Sequence, residues 1–123
     1  MSDLPTAPVV VLVRPQLAEN IGTTARAMMN CGLSELRIVA PRDKFPSEKA
    51  VAAASGADEI LANARVYPHL PTAIADLQRV YAMTARNRDM PHRVIDAREA
   101  AGELRARISQ GQSCGVMFGP ERS

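Results

Sequence analysis

The chain has 123 residues, of which 46% are hydrophobic and 23% charged, an ordinary composition for a single globular domain over residues 1–123. No apolar run approaches the roughly 18 residues of a bilayer-spanning helix, and no basic segment followed by an apolar one opens the chain. We therefore expect a cytoplasmic protein rather than a membrane or secreted one. The formal net charge of +2 permits RNA binding without arguing for it.

The first elements follow from apolar patterning. Val9–Val13 is a continuous, largely β-branched run, which is typical of a strand buried on both faces. Apolar residues at helical spacing predict a helix from about Asn20, with Asn20 as its N-cap and Gly32 as its stop. Leu36–Val39 is predicted to be a second strand.

The middle of the chain continues the alternation of helices and strands. Ser47 is placed to cap a short alanine-rich helix over Glu48–Ala54. A weak strand is predicted at Arg65–Tyr67, and a helix over Pro71–Leu77 with proline in its first turn. Val80–Met83 is predicted to be another strand.

The last part adds a helix over Ala97–Ile108, capped by Asp96, and a strand at Gly115–Phe118. Strands that alternate with helices predict an α/β fold, with a parallel sheet covered by helices on both faces. Ligands of such sheets bind where loops leave the carboxyl ends of strands. The loops that qualify by content are residues 14–26, 83–88 and 119–123.

The first of these loops lacks the glycine pattern GxGxxG, which disfavours a nicotinamide or flavin enzyme. Gly22 would admit close approach by another backbone. Taken singly, Asn20 is only a helix cap and Arg26 only a solvated arginine.

The chain holds two cysteines, Cys31 and Cys114. They lie far apart, without a neighbouring His or Cys at ligand spacing. We expect both to be reduced and buried, and we expect no metal site.

Three stretches in combination resemble the SpoU/TrmH family of knotted, S-adenosylmethionine-dependent RNA 2′-O-ribose methyltransferases. The likeness is closest to the bacterial branch that methylates a pyrimidine ribose of the tRNA anticodon loop, at nucleotide 32. The stretches occur in the family's order. The first region consists of Leu12-Val13-Arg14-Pro15, Glu19-Asn20-Ile21-Gly22, Ala25-Arg26-Ala27-Met28, Gly32-Leu33, Leu36 and Val39-Ala40-Pro41. The second is Met83-Thr84-Ala85-Arg86-Asn87-Arg88, and the third is Val116-Met117-Phe118-Gly119-Pro120-Glu121-Arg122-Ser123.

The resemblance implies site roles position by position, a tRNA substrate and a homodimer that builds its site across two chains. Arg26 matches the arginine at the target ribose and its phosphate, and Asn20 its partner asparagine. The remaining matches are Met83, Thr84 and Ala85 along the cofactor, Gly119 against it, and Glu121 as the acidic residue of the second motif. We add the hypothesis that Arg86, Arg88 and Arg93 contact tRNA phosphates.

A ribose hydroxyl is a poor nucleophile at neutral pH, so methyl transfer requires a group that assists removal of its proton. The family arginine has been cast as that base, but a guanidinium keeps its proton under such conditions. We favour a role in which Arg26 grips the phosphate and orients the hydroxyl toward the methyl donor.

The chain departs from the family at its end, because it stops at Ser123 within the second motif. The family continues through a further strand and a third motif that complete the knot. We therefore expect a shortened chain that is inactive alone. Two other functions stay open: a non-catalytic RNA-binding or assembly module of this fold, and an unrelated α/β enzyme that binds a small anionic substrate at the Asn20 helix start.

Overall fold

The computed structural model describes residues 7–83 and 104–119. Within these residues, five parallel strands form one sheet in the order β3-β2-β1-β5-β4. The strands are β1 (Val9–Val13), β2 (Leu36–Val39), β3 (Arg65–Tyr67), β4 (Arg79–Met83) and β5 (Cys114–Phe118). The helices are α1 (Ala18–Asn30), α2 (Glu48–Ala54), α3 (Asp58–Asn63) and α4 (Leu70–Ile74), and residues 104–109 are also helical.

The central strand β1 is buried along its whole length, as its apolar run predicts. Val10 and Leu12 face one layer, where they pack with α1, α2 and α3. Val9, Val11 and Val13 face the other layer, which holds Ala73 of α4. The sheet is therefore covered on both faces, and the predicted α/β fold with a parallel sheet is confirmed.

Helix α1 begins earlier than its sequence pattern suggests. Its first residue is Ala18 and its N-cap is Leu17, so the prediction that Asn20 caps the helix is wrong. A side-chain acceptor comes instead from another loop, because the Ala18 N–H donates to Asp43 Oδ2 at 3.4 Å. A contact between residues this distant in sequence leaves no local pattern to read.

The C-terminus of α1 ends as predicted. Gly32 adopts a left-handed conformation with φ of 78°, which glycine tolerates without a Cβ clash. Its N–H donates to Met29 O, and the next N–H, of Leu33, donates to Met28 O at 2.8 Å. This pair of bonds is the Schellman arrangement, and it satisfies carbonyls that the helix leaves without partners.

Helix α2 packs directly across α1. It starts as predicted, with the Ser47 hydroxyl oxygen accepting from the Ala50 N–H at 3.2 Å. Gly22 faces this helix, and a Cβ added there would lie 2.1 Å from the Ala50 carbonyl oxygen. The expected close approach of another backbone at Gly22 is confirmed.

The second half of the chain departs from expectation in two helices. Helix α3 was not predicted, because only Ile60 and Leu61 of its six residues are buried and they form no repeating stripe. Helix α4 ends at Ile74, three residues short of the predicted Leu77. Of the helix predicted over Ala97–Ile108, only residues 104–108 lie in the described part, and they are helical.

Candidate active site

The carboxyl ends of β4 and β5 lie side by side. Met83, the last residue of β4, pairs with Phe118, the last residue of β5. Phe118 also pairs with Leu12 of the central strand β1. Gly119 follows directly, so two of the residues proposed for the cofactor, Met83 and Gly119, meet at one edge of the sheet.

Gly119 stands in open space at this edge. A Cβ added to it would meet no atom of residues 7–83 or 104–119 within 4 Å, and its backbone is not in the left-handed region. Neither packing against the described residues nor backbone conformation therefore calls for glycine here. Because glycine has no side chain, a ligand can lie flat against the backbone at this exposed strand end.

Two neighbouring strands leave this edge through strained residues. Arg14 after β1 has φ of 50° and Ala40 after β2 has φ of 47°. Each precedes a proline, Pro15 or Pro41. Left-handed backbone is uncommon for residues other than glycine, and a following proline restricts the residue further. Strain of this kind is concentrated at functional sites.

The loops that follow Arg14 and Ala40 are bonded to each other. The Arg42 N–H donates to Pro15 O at 3.0 Å. One residue later, Asp43 accepts the Ala18 N–H, so a carboxylate already occupies the start of α1. A small anionic substrate at this helix start would meet that negative charge, which argues against the unrelated α/β enzyme.

Asn20 and Arg26 lie on α1, six residues apart, or about 9 Å along the helix axis at 1.5 Å per residue. The Asn20 carbonyl oxygen accepts hydrogen bonds from the hydroxyls of Thr23 (3.2 Å) and Thr24 (2.7 Å). Arg26 is exposed and makes no ion pair with the described residues. Because the helix starts at Ala18, Arg26 falls in its third turn.

The other predicted site residues fall outside the described part of the chain. They are Thr84, Ala85, Arg86, Arg88, Arg93 and Glu121.

The profile of the SpoU rRNA Methylase family matches residues 7–123. The chain belongs to the SpoU rRNA Methylase family. A TrmJ protein of Pseudomonas aeruginosa (strain UCBPP-PA14), named as a tRNA (cytidine/uridine/adenosine-2′-O-)-methyltransferase, is 41% identical over 112 residues, which make up 91% of this chain and 43% of that protein.

Solved structures of the same family share the fold. The crystal structure of TrmJ from Z. mobilis superposes with a TM-score of 0.85 at 48% identity, over 96% of this chain and 52% of that one. AviRb of Streptomyces viridochromogenes, crystallised with AdoMet, has a TM-score of 0.64 at 19% identity, over 98% of this chain and 46% of that one, and shows the fold alone. This SpoU chain thus spans about half the length of these relatives.

The cysteines of this SpoU family member differ from each other. Cys114 is buried at the start of β5, as expected, and burial raises the pKa of its thiol. Cys31 is exposed, so the prediction that it is buried is wrong. It directly follows the last residue of α1, outside the packed stripe of that helix.

Residues 7–83 and 104–119 contain no group of three His, Cys, Asp or Glu side chains that could hold a metal ion. None of the helices in the same residues is long and apolar enough to cross a membrane.

A cavity of about 300 Å³ lies at the opposite, amino edge of the sheet of this SpoU chain. It is lined by Ser34, Glu35, Arg37, Asp76 and Cys114 among others. The Arg37 guanidinium already makes five hydrogen bonds, to Glu35, Ala73 O and Asp76. With its donors engaged and two carboxylates beside it, this arginine is not suited to bind an anionic ligand.

The sequence missed the contribution of the loop after β2 to the site. The adjacent Ala40 and Pro41 mark a turn, but nothing in them shows that Arg42 and Asp43 reach the loop after β1. That information depends on the pairing of β1 with β2, in which Val13 lies beside Val39.

Proposed function

We propose that the full-length protein catalyses the S-adenosylmethionine-dependent 2′-O-methylation of a ribose in tRNA. We propose nucleotide 32 of the anticodon loop, a cytidine or uridine, as the target, and the cytoplasm as the place of action. Membership of the SpoU family and relatives named as tRNA 2′-O-methyltransferases support this activity. The observation that carries it is the meeting of Met83 and Gly119, from two separate family motifs, at one sheet edge.

The residues at this edge fit S-adenosylmethionine. Met83 is partly buried at the end of β4 and can offer apolar contact, whereas Gly119 leaves open space beside the end of β5. Thr84 and Ala85 would extend the same contact along the chain. When bound, the cofactor supplies an electrophilic methyl group on its sulfonium. AviRb, which shares this fold, was crystallised with that cofactor.

Arg26 and Asn20 are proposed to serve the RNA side of the site, with Glu121 near them. The exposed guanidinium of Arg26 has no ion-pair partner among the described residues, and its planar fork is suited to a phosphate. Gripping that phosphate would fix the ribose hydroxyl in the orientation needed for methyl transfer. Positioning alone can contribute several kcal/mol to catalysis. We therefore assign Arg26 to positioning and not to proton removal.

The direction of α1 supports a homodimer. A crossover helix runs antiparallel to the strands it connects, so α1 leads away from the edge that holds Met83 and Gly119. Arg26 lies about 12 Å along the axis from Ala18. A second copy of the chain could bring its own Arg26 to the cofactor edge, and we propose that the site is completed in this way.

The experiment uses full-length protein, an unmodified tRNA transcript and S-adenosylmethionine, followed by mass spectrometry of the nucleosides. The expected product is 2′-O-methylcytidine or 2′-O-methyluridine, mapped to nucleotide 32. A matched transcript with 2′-deoxyribose at nucleotide 32 should bind equally and gain no methyl group. If the protein binds tRNA and leaves every ribose unmethylated, it is an RNA-binding module and not an enzyme.

A further inference from the structure

The two bonded loops at the carboxyl edge carry three exposed cations. Arg14 follows β1, and Arg42 and Lys44 lie in the loop after β2. We call these three residues the basic rim. Arg14 lies in the first region that resembles the family, but the resemblance assigns no role to Arg14, Arg42 or Lys44.

The charge of the basic rim is only partly compensated by the described residues. Its only acidic neighbour within residues 14–17 and 40–46 is Asp43. One carboxylate oxygen of Asp43 accepts the Ala18 N–H, and the other forms an exposed ion pair with Arg42 Nε at 3.4 Å, so one of the three positive charges has a partner. The side chains of Arg14 and Lys44 make no ion pair with the described residues.

The basic rim is held by a firm backbone. Pro15 is buried, and its carbonyl oxygen accepts the Arg42 N–H at 3.0 Å. The Arg14 N–H donates to Val39 O at 2.7 Å, so each loop is tied to the neighbouring strand or loop. Cations on a fixed backbone lose less conformational freedom when they bind than cations on a free loop.

The conformation of Arg14 points to a role for its side chain. Its φ of 50° is one that glycine adopts far more readily than arginine. The fold alone therefore favours glycine at this position, and the exposed guanidinium makes no ion pair with the described residues. Residues that persist in strained conformations without packing reasons are concentrated at binding sites.

We propose that the basic rim binds backbone phosphates of the RNA substrate beside the target nucleotide. This inference rests on the proposed function for the identity of the substrate. RNA fits better than the cofactor, because S-adenosylmethionine offers one carboxylate whereas an RNA strand offers a row of phosphates to three cations. The rim is also distinct from Arg86, Arg88 and Arg93.

The experiment measures tRNA binding by the full-length protein as a function of salt. The test variant combines Arg14→Gly, Arg42→Gln and Lys44→Gln. The control removes three exposed arginines elsewhere, as Arg65→Ala, Arg79→Ala and Arg105→Ala, so both variants lose the same charge. Each phosphate contact contributes roughly 0.7–0.9 to the slope of log K against log salt. We expect the slope to fall by about two in the test variant and to change little in the control.

Two further measurements separate the possible causes. Arg14→Gly alone should raise Tm, because it relieves the left-handed strain, while it weakens tRNA binding; a purely structural arginine would give the first change without the second. The Kd for S-adenosylmethionine should stay the same in the triple variant. An unchanged salt slope, a weakened cofactor Kd with an unchanged slope, or an equal loss in the control would each overturn the proposal.

The outcome for the basic rim is separate from the outcome for the proposed function. Methylation by the unaltered protein tests the proposed methyltransferase activity, whereas the change in salt slope tests phosphate binding by the basic rim. If the unaltered protein binds tRNA without methylating it and the slope still falls in the test variant, the basic rim binds RNA but the proposed methylation is wrong. If methylation occurs and the slope is unchanged, the proposed activity is confirmed but the basic rim does not bind RNA phosphates.

Discussion

Gly22 of α1 and Ala50 of α2 bring two helix backbones into direct contact. A Cβ on Gly22 would lie 2.1 Å from the Ala50 carbonyl oxygen and 2.8 Å from the Ala53 Cβ. Both neighbours are small or belong to the backbone, so neither can rotate away. The close contact keeps α2 against α1 and holds the loop after β2, which carries Asp43, beside the start of α1.

Gly22→Ala should destabilise the fold. In an isolated helix this change would be favourable by about 0.5–1 kcal/mol. Here the new methyl group must push α2 away, and overpacking of this kind costs about 1–3 kcal/mol. Chemical denaturation should show the loss in the free energy of unfolding. Gly119→Ala is the control, because its Cβ meets open space; a loss of similar size there would show that glycine content, not the helix contact, determines the effect.

The sequence predicted those parts of the fold that local patterns encode. The buried strand Val9–Val13, the Ser47 cap and the Gly32 stop each depend on residues within one turn or one strand, and each is confirmed. The predicted start of α1 was wrong because Asp43, 25 residues away from Ala18, supplies the acceptor for the Ala18 N–H. Tertiary contacts of this kind override a local preference such as that of Asn20 for capping.

Arg37 connects β2 to the segment after α4. It donates to Asp76 through both terminal nitrogens, at 2.7 and 3.0 Å, and to Ala73 O at 2.7 Å. The hydrogen bonds that Arg37 donates to Asp76 raise the pKa of Arg37 above its ordinary value. The same bonds lower the pKa of Asp76 below 3.8. An arginine that is 6% exposed is thereby kept charged within the fold.

Asp76→Asn should flatten the acid dependence of stability. Because the folded pKa of Asp76 lies below its unfolded value, its ionisation stabilises the fold above about pH 4 and is lost as the pH falls through the lower, folded value. We expect Tm to fall less steeply in this variant than in the unaltered protein as the pH is lowered below about 4. The effect should be modest, because the Asp76 side chain is 67% exposed.

The matched control for this prediction is Glu59→Gln, an exposed carboxylate without an ion pair among the described residues. Thermal unfolding followed by circular dichroism at each pH provides the comparison. Acid dependence that is equally steep in Asp76→Asn and in the unaltered protein would show that the Arg37 contact does not bias the titration.

The sequence predicted the place of the site better than its construction. The resemblance identified Met83 and Gly119, and the parallel pairing of β4 with β5 brings them to one edge. It could not show that Arg14 adopts a left-handed conformation or that Arg42 contacts Pro15. Both features arise from strand pairing, which sets neighbours that are distant in sequence.

Gly119→Ala should weaken S-adenosylmethionine binding and leave stability unchanged. The added methyl group meets no atom of the described residues, so the free energy of unfolding should stay within about 0.5 kcal/mol. If the cofactor lies against this strand end, a clash of about 1–3 kcal/mol should raise its Kd roughly 5- to 150-fold. Calorimetry on the full-length protein should compare the Kd for S-adenosylmethionine and the unfolding of Gly119→Ala with those of the unaltered protein. An unchanged Kd would show that Gly119 does not contact the cofactor.

Arg26→Lys should lower kcat by roughly tenfold or more, because an ammonium cannot reproduce the two-pronged contact of a guanidinium with a phosphate. Arg26 is exposed and pairs with none of the described residues, so Tm should not change. Arg105→Lys, at another exposed arginine, is the matched control and should keep full activity. The shape of the pH–rate profile should be the same in Arg26→Lys and in the unaltered protein, because a positioning group does not titrate in the reaction. Near-full activity of Arg26→Lys would show that a positive charge alone suffices. A shifted pH–rate profile would indicate that Arg26 acts as the base.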